Sequence, residues 1–220
     1  MEKILLFHGS ERIIESPVFG YKNGISDYGP GFYCTQDSEA AKEWANRRTD
    51  KGYVNQYSFD ARNLKILDLT NGQYSVLHWI TLLLKNRILD EVLLKTYKKE
   101  FEYLYKHYDL DISSYDVIVG YRADDAYFKF PLSFIRSEIT LETLIDIYSL
   151  GDLGKQVVII SEKTFRKLKF IKALEADYSY KQKYLDRLHL ADRRFNELIE
   201  TDRYSNKERL IDLVRRELND

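Results

Sequence analysis

Cysteine is nearly absent, since Cys34 is the only one among 220 residues. One thiol cannot form a disulfide within the chain, and Cys34 lies in an apolar stretch. A buried, unreactive thiol in a reducing compartment is therefore favoured over a reactive thiol.

Long apolar runs are also absent. None approaches the length of a membrane-spanning helix, so the sequence predicts no association with a membrane. The four apolar residues 4–7, which follow Met1, Glu2 and Lys3, are too few for the apolar core of a signal peptide. These two observations predict a cytoplasmic protein.

An excess of charge of one sign is missing too, because 34 basic and 35 acidic residues leave a net charge of −1. The total charge favours neither nucleic acid nor an anionic membrane as a partner, although a local basic patch is compatible with it. None of His78, His107 and His189 has a second ligand at the spacing typical of a metal site, so no metal is predicted.

The residues that are present indicate one substantial globular domain, with 44% hydrophobic and 31% charged residues. Strand patterns occur at 4–7, 32–35, 53–59, 63–68, 115–120, 156–160 and 168–171. At 63–68, Leu64 and Ile66 are expected to point inward, with Leu67 as a further candidate. These patterns predict an α+β fold, whose mostly antiparallel β core lies within residues 1–172.

Helical periodicity is found between the strands, at 75–108 and 140–150, and again after residue 172. A break near 86–90 predicts two helices in the first segment. Residues 173–220 form a predicted amphipathic tail, in which Ser205 and Glu208 fit a capping box that starts a second helix. The tail either packs back on the domain or offers a surface for a partner or for self-association.

The most informative stretch is DYGPGFYCTQDSEAAKEWA, residues 27–45, in which a glycine-rich turn precedes a strand and a helix. Gly29 and Gly31 indicate a turn whose backbone passes close to another group, because glycine has no Cβ. Asp37 or the serine after it is the predicted N-cap of the helix. This arrangement brings Tyr33 and Trp44 into one neighbourhood.

Two further features complete a candidate site, namely His8-Gly9-Ser10 at the end of the first strand and Gln156 at the start of the strand at 156–160. In this order and spacing, the chain resembles the ADP-ribosyltransferase superfamily, in its branch of diphtheria toxin and the poly(ADP-ribose) polymerases. The resemblance extends as an outline over residues 4–172 and is specific at 8–10, 29–44 and 154–160. It implies a split antiparallel β core with inserted helices and a helical C-terminal tail.

The resemblance also implies NAD as the substrate and assigns roles to the site residues. His8 and Ser10 would bind ribose hydroxyls, and Gly9 would offer its backbone N–H and C=O to the carboxamide. Tyr33 and Trp44 would stack on the nicotinamide, which is a flat cation. Because the chain has neither a P-loop nor a Rossmann fingerprint, NAD binding would not be of the dehydrogenase kind.

One position departs from the family pattern, because Gln156 stands where vigorous catalysts have glutamate. Glutamine keeps a hydrogen bond to the ribose 2′-hydroxyl and loses the charge that stabilises developing positive charge. One hypothesis is that Asp124 or Asp125 approaches the site and replaces the missing carboxylate, or binds the acceptor. The alternative is that Asp125 caps the following turn while Asp124 is solvated.

The function implied is mono-ADP-ribosyl transfer to a macromolecular acceptor, protein or nucleic acid, with release of nicotinamide. By resemblance, such an enzyme could be a bacterial toxin or a defence effector. Two other functions remain open: a non-catalytic NAD-binding module or sensor, and an interaction protein with a vestigial cleft.

Overall fold

The computed structural model describes residues 3–20, 26–123, 125–149 and 154–219. In chain order its elements are β1 (Lys3–Ser10), β2 (Phe32–Cys34), α1 (Ser38–Ala45), β3 (Gly52–Asp60), β4 (Ile66–Asp68), α2 (Val76–Asn86), α3 (Glu91–Thr96), α4 (Lys98–Tyr108), β5 (Val117–Tyr121), α5 (Asp125–Ile135), α6 (Leu141–Ser149), β6 (Lys155–Ile159), α7 (Glu162–Phe165), β7 (Leu168–Ala176), α8 (Ser179–Asp202) and α9 (Leu210–Asn219).

The strands form two sheets, with the orders β1-β3-β7 and β2-β6-β5-β4. Strand pairs are antiparallel except β4 with β5, which are parallel. The two sheets meet where Phe7 and Thr35 exchange backbone hydrogen bonds of 2.8 and 2.9 Å. The prediction of a mixed α+β class with a mostly antiparallel core is confirmed.

The alternation of side chains along each strand builds three apolar cores in a layered arrangement. Helix α1 covers one face of the first sheet through Ala41 and Ala45. The other face of that sheet packs on the second sheet around Tyr57 and Phe59. The far face of the second sheet is covered by α2, α4, α5, α6 and α9, in the largest core, which contains Trp79.

Two sequence predictions of local structure were wrong, and one helix was not predicted. Strand β4 is short, and its inward residue is Leu67, whereas Ile66 is 46% exposed. The segment 75–108 contains three helices rather than two, because Asp90 caps a short α3 with its side chain and α4 starts after Tyr97. Helix α5 was not predicted, since it contains Pro131, a residue that usually ends a helix.

The C-terminal helices contact the rest of the protein. Helix α8 packs on α1 and α5, and α9 packs on α4. Ala191, Leu210 and Leu213 belong to the largest core. Helix α9 begins at Leu210, later than the capping box predicts. Through these contacts the tail packs back on the domain. The division of the chain at residue 172 remains a prediction, as does self-association through the tail.

Helix α1 lies so close to β1 that only glycine fits at position 9. A Cβ built on Gly9 would come within 2.1 Å of the carbonyl oxygen of Ala41 and 2.7 Å of the backbone nitrogen of Ala45. Both atoms belong to the helix backbone and cannot swing away. The absence of a side chain at Gly9 is therefore a packing requirement between helix and strand.

We expect Gly9→Ala to lower the free energy of unfolding by about 1–3 kcal/mol or more, the usual cost of overpacking. Gly72→Ala is a suitable control, because no atom lies within 4 Å of its added Cβ and only its positive φ opposes the change. Denaturant unfolding of both variants measures the two costs. Equal losses in the two variants would contradict the packing explanation.

Candidate functional site

A cleft of about 1300 Å³ opens beside the end of β1, the turn before β2, helix α1 and the start of β6. It collects the residues that the sequence pattern singled out from four separate segments of the chain. The lining includes His8, Gly9, Ser10, Tyr33, Trp44 and Gln156.

His8 bridges the two sheets at the edge of this cleft. Its ring stacks on Phe32, with centroids 5.0 Å apart, and its Nδ1 lies 2.7 Å from the carbonyl oxygen of Tyr33. A carbonyl only accepts, so Nδ1 carries the proton and Nε2 presents a lone pair in the neutral ring. Burial lowers the pKa of His8, which keeps the ring neutral near pH 7.

The backbone of Gly9 faces away from β3. Phe7 directs its N–H and C=O to Thr35, and residues two apart on a strand direct these groups to the same edge. On that edge of β1, Gly9 lies beyond the bridge between Phe7 and Thr35, where the strand lines the cleft. Position 9 is therefore glycine because helix α1 packs against it. The N–H and C=O of Gly9 are directed toward the cleft.

Ser10 is held by a buried amide that the sequence did not reveal. Asn55, which is fully buried, donates from Nδ2 to the Ser10 hydroxyl at 3.2 Å and accepts the N–H of Ile14 at 2.7 Å. The Ser10 hydroxyl also donates to the carbonyl of Arg12. The segment that follows β1 is therefore folded around one asparagine side chain, and no local signal in β3 distinguished this residue.

Tyr33 closes the glycine turn. Its hydroxyl donates to the carbonyl of Gly29 at 2.7 Å and accepts the N–H of Tyr28 at 3.0 Å. Burial raises its pKa to about 12, so it stays protonated. Gly29 has a φ of +79°, and a Cβ on Gly31 would lie 2.8 Å from the carbonyl oxygen of Ile159. The predicted close approach of the backbone at this turn is confirmed.

Trp44 presents its indole ring to cations. The guanidinium carbon of Arg47 lies 4.3 Å from the ring centroid, and that of Arg122 lies 4.7 Å from it. Guanidinium groups are flat and positively charged, and they bind to the negative face of an indole. In this structure, therefore, the Trp44 ring already attracts flat cations inside the cleft.

Gln156 is hydrogen bonded to a carboxylate that the sequence pattern does not indicate. Its Nε2 donates to Oδ2 of Asp27 at 2.8 Å. Asp27 stands immediately before the Tyr28-Gly29 turn, and it lines the same cleft. Its position in the turn was visible in the sequence, but its contact across 129 residues was not.

Asp27 is a buried carboxylate, 6% exposed, surrounded by N–H donors. Arg87 donates to Oδ1 from Nε at 2.9 Å and from Nη2 at 2.5 Å. The backbone N–H of Ala123 donates to Oδ2 at 3.1 Å. Burial raises the pKa of Asp27, while the Arg87 guanidinium opposes that rise. Because all these neighbours donate, they fit the ionised carboxylate.

The charges that line the cleft are predominantly positive. Among the described residues that line it, six are lysine or arginine and three are aspartate or glutamate. The chain as a whole has a net charge of −1, so the cleft departs in sign from the molecule. Such a concave basic surface favours an anionic ligand.

The remaining sequence predictions concern the two aspartates, the cysteine, metal binding and membrane crossing. Asp124 lies outside the described residues, and for Asp125 only the backbone, at the first position of α5, is described. Cys34 is buried as predicted, and burial raises the pKa of its thiol. In the described ranges no cluster of three or more His, Cys, Asp or Glu could hold a metal ion. Of the helices in those ranges, none has both the length and the apolar character needed to cross a bilayer.

The lowered pKa of His8 predicts a pH dependence of stability. In the unfolded chain His8 binds a proton near pH 6.5, whereas in the folded protein it does so only at lower pH. The free energy of unfolding therefore falls as the pH drops through this range. His8→Gln keeps a donor for the Tyr33 carbonyl but cannot titrate. We expect this variant to lose less stability than the wild type between about pH 7.5 and about pH 5.5, in denaturant titrations.

The pKa of His78 is lowered by burial as well, but it contributes equally to both proteins. The difference between the two slopes therefore isolates His8. Identical slopes would mean that His8 binds its proton at the same pH in the folded and the unfolded protein, which would contradict a lowered pKa.

Comparison with known proteins identifies a family but no activity. A family model described as "Protein of unknown function (DUF3990)" matches residues 4–170, which include every residue of the cleft named above and all strand residues except Lys3 and the part of β7 after residue 170. No curated protein and no solved structure matches the chain. Since the match covers well over half of the sequence, the chain belongs to this family of proteins of unknown function, DUF3990.

Proposed function

We propose that this protein is an NAD-dependent mono-ADP-ribosyltransferase with an ADP-ribosyltransferase-like fold. The observation that carries the proposal is the convergence of His8, Tyr33, Trp44 and Gln156, from four separate segments, on one cleft. Sequence resemblance suggested these residues without knowledge of their positions. Their meeting in one cleft is what an NAD site of this kind requires.

The nicotinamide ring binds at Trp44. Arg47 and Arg122 stack on the indole, and nicotinamide shares with their guanidinium groups a flat shape and a positive charge. The carboxamide is bound by the backbone N–H and C=O of Gly9, on the free edge of β1. His8, with its lone pair at Nε2, accepts a hydrogen bond from a ribose hydroxyl.

The pyrophosphate of NAD is bound by the cationic lining of the cleft. Arg47 and Arg48 lie just beyond the end of α1, beside Trp44, and both line the cleft. A ligand that carries a cationic ring at one end and a pyrophosphate in its middle matches an indole flanked by arginines. This match supports a dinucleotide in preference to a small neutral metabolite.

In the proposed transfer, the bond between C1′ of the ribose and the nicotinamide nitrogen breaks. Its electron pair stays on that nitrogen, so neutral nicotinamide leaves and positive charge develops on the ribose, as in glycoside cleavage. A lone pair of the acceptor forms the new bond to C1′, and the acceptor loses a proton to solvent. The acceptor is a macromolecule, protein or nucleic acid.

A second function is favoured by one observation, the uncharged Gln156 in place of glutamate. A protein that binds NAD without cleaving it would use the same stacking and hydrogen bonds and would need no charge at this position. The two functions share the binding step and differ only in nicotinamide release.

The first experiment measures nicotinamide release from NAD by the purified protein in the presence of cell lysate. We expect Trp44→Ala to raise KM about ten-fold or more, the sum of lost stacking and cation–π attraction, while Trp44→Phe retains most of the binding. His8→Ala is expected to lower release, and His189→Ala, a change on the exposed face of α8, is its matched control.

The outcomes separate the candidate functions. Release that depends on Trp44 and His8 supports the transferase, and labelled NAD then identifies the acceptor. Binding of NAD that Trp44→Ala removes, without release, supports the sensor. Neither binding nor release would refute both, and the protein would be an interaction module with a vestigial cleft.

A further inference from the structure

We infer that Asp27 is a positioning residue: it holds the Gln156 side chain so that the amide oxygen, Oε1, faces the cleft as a hydrogen-bond acceptor for the ribose 2′-hydroxyl. This inference rests on the proposed function. It starts from the hydrogen bond of 2.8 Å between Gln156 Nε2 and Asp27 Oδ2.

The chemistry of the pair determines which end of the amide is exposed. An ionised carboxylate only accepts hydrogen bonds, so Gln156 must direct its NH2 group to Asp27. Its Oε1 is then directed away from Asp27, and among the described residues the Gln156 side chain has no other hydrogen bond. Because Gln156 lines the cleft, it offers an acceptor to a ligand, and the matching ligand group is a donor such as a hydroxyl.

Asp27 is itself held firmly enough to impose this orientation. Its other oxygen, Oδ1, accepts two hydrogen bonds from Arg87, and Oδ2 also accepts the N–H of Ala123. The next residue, Tyr28, is fully buried, and its hydroxyl donates to the carbonyl of Tyr121 at 2.6 Å. Neither the backbone nor the carboxylate of Asp27 can turn without breaking these contacts.

The neighbouring carboxylate also gives a physical reason for an amide at position 156. A glutamate there would bring two carboxylates to hydrogen-bond distance, where both cannot be ionised. The NH2 group of Gln156 instead donates a hydrogen bond to the Asp27 carboxylate. The negative charge that other members of the superfamily have on the strand lies here one hydrogen bond away, on the turn.

The test exchanges the two groups. In Asp27→Asn, the oxygen that faces Arg87 is retained, and an NH2 group replaces the oxygen that accepts from Gln156 and from the N–H of Ala123. Gln156 must then turn its own NH2 to the cleft. We expect kcat/KM for nicotinamide release to fall about ten-fold, the worth of one hydrogen bond to the ligand, with the melting temperature recorded alongside. Gln156→Glu alone is also expected to lose activity, because of the paired carboxylates.

The double variant Asp27→Asn/Gln156→Glu restores one carboxylate and one amide in exchanged places. We expect it to recover kcat/KM relative to Asp27→Asn, while the lost partner of the Ala123 N–H lowers its melting temperature. The matched control is the exposed pair on α8, in which Gln182 Nε2 lies 2.8 Å from Asp186 Oδ1. Asp186→Asn/Gln182→Glu is expected to leave the release of nicotinamide unchanged.

A second measurement uses the wild-type protein only and stands even where a variant fails to fold. NAD with a 2′-deoxy-2′-fluoro group in the nicotinamide ribose accepts hydrogen bonds but cannot donate one. Its Kd is expected to be about ten-fold higher than that of NAD.

Equal binding of NAD and the fluoro analogue would overturn the inference, as would wild-type kcat/KM in Asp27→Asn. A folded double variant no more active than the single variants would do the same. A wild-type protein that neither binds nor cleaves NAD would overturn the proposed function as well, so the two failures are distinguishable.

Discussion

The backbone hydrogen bonds between Phe7 and Thr35 link the two sheets, and the geometry of the cleft depends on them. They set the ends of β1 and β2 side by side, so that His8 reaches the Tyr33 carbonyl and stacks on Phe32. Because pairing between these strands stops after this bridge, the next backbone groups of β1 have no strand beside them on that edge among the described residues. The cleft therefore lies where β1 and β2, the edge strands of the two sheets, move apart.

A second constraint is the buried loop that precedes β2. Tyr28 fits against β5 only because position 120 is glycine, where a Cβ would lie 2.0 Å from the Tyr28 hydroxyl oxygen. Trp79 donates from its indole nitrogen to that same hydroxyl at 2.5 Å. This anchoring places the Asp27 carboxylate next to Gln156 and Arg87 and connects the largest core to the polar groups of the cleft.

The sequence predicted the strands that have strong apolar character or clear alternation, namely β1, β2, β3, β5 and β6, because these patterns reflect burial directly. It failed where tertiary context overrides local preference. Helix α5 forms despite Pro131, and β4 is short and pairs in parallel with β5. The late start of α9 follows from Asp212, whose side chain accepts the N–H of Arg209 and so supports the first turn.

By itself, the sequence determined the α+β class and the glycine turn, because hydrophobic patterns and turn chemistry are local properties. The candidates His8, Tyr33, Trp44 and Gln156 came from the resemblance to a known superfamily. Only the tertiary structure decided which polar groups meet: Asp27 with Gln156 and Arg87, Asn55 with Ser10, and Arg122 with Trp44. These partners are far apart along the chain, and no periodicity in the sequence records them. Their contacts follow from the way the two sheets and their covering helices pack, which sets the distance and direction between side chains.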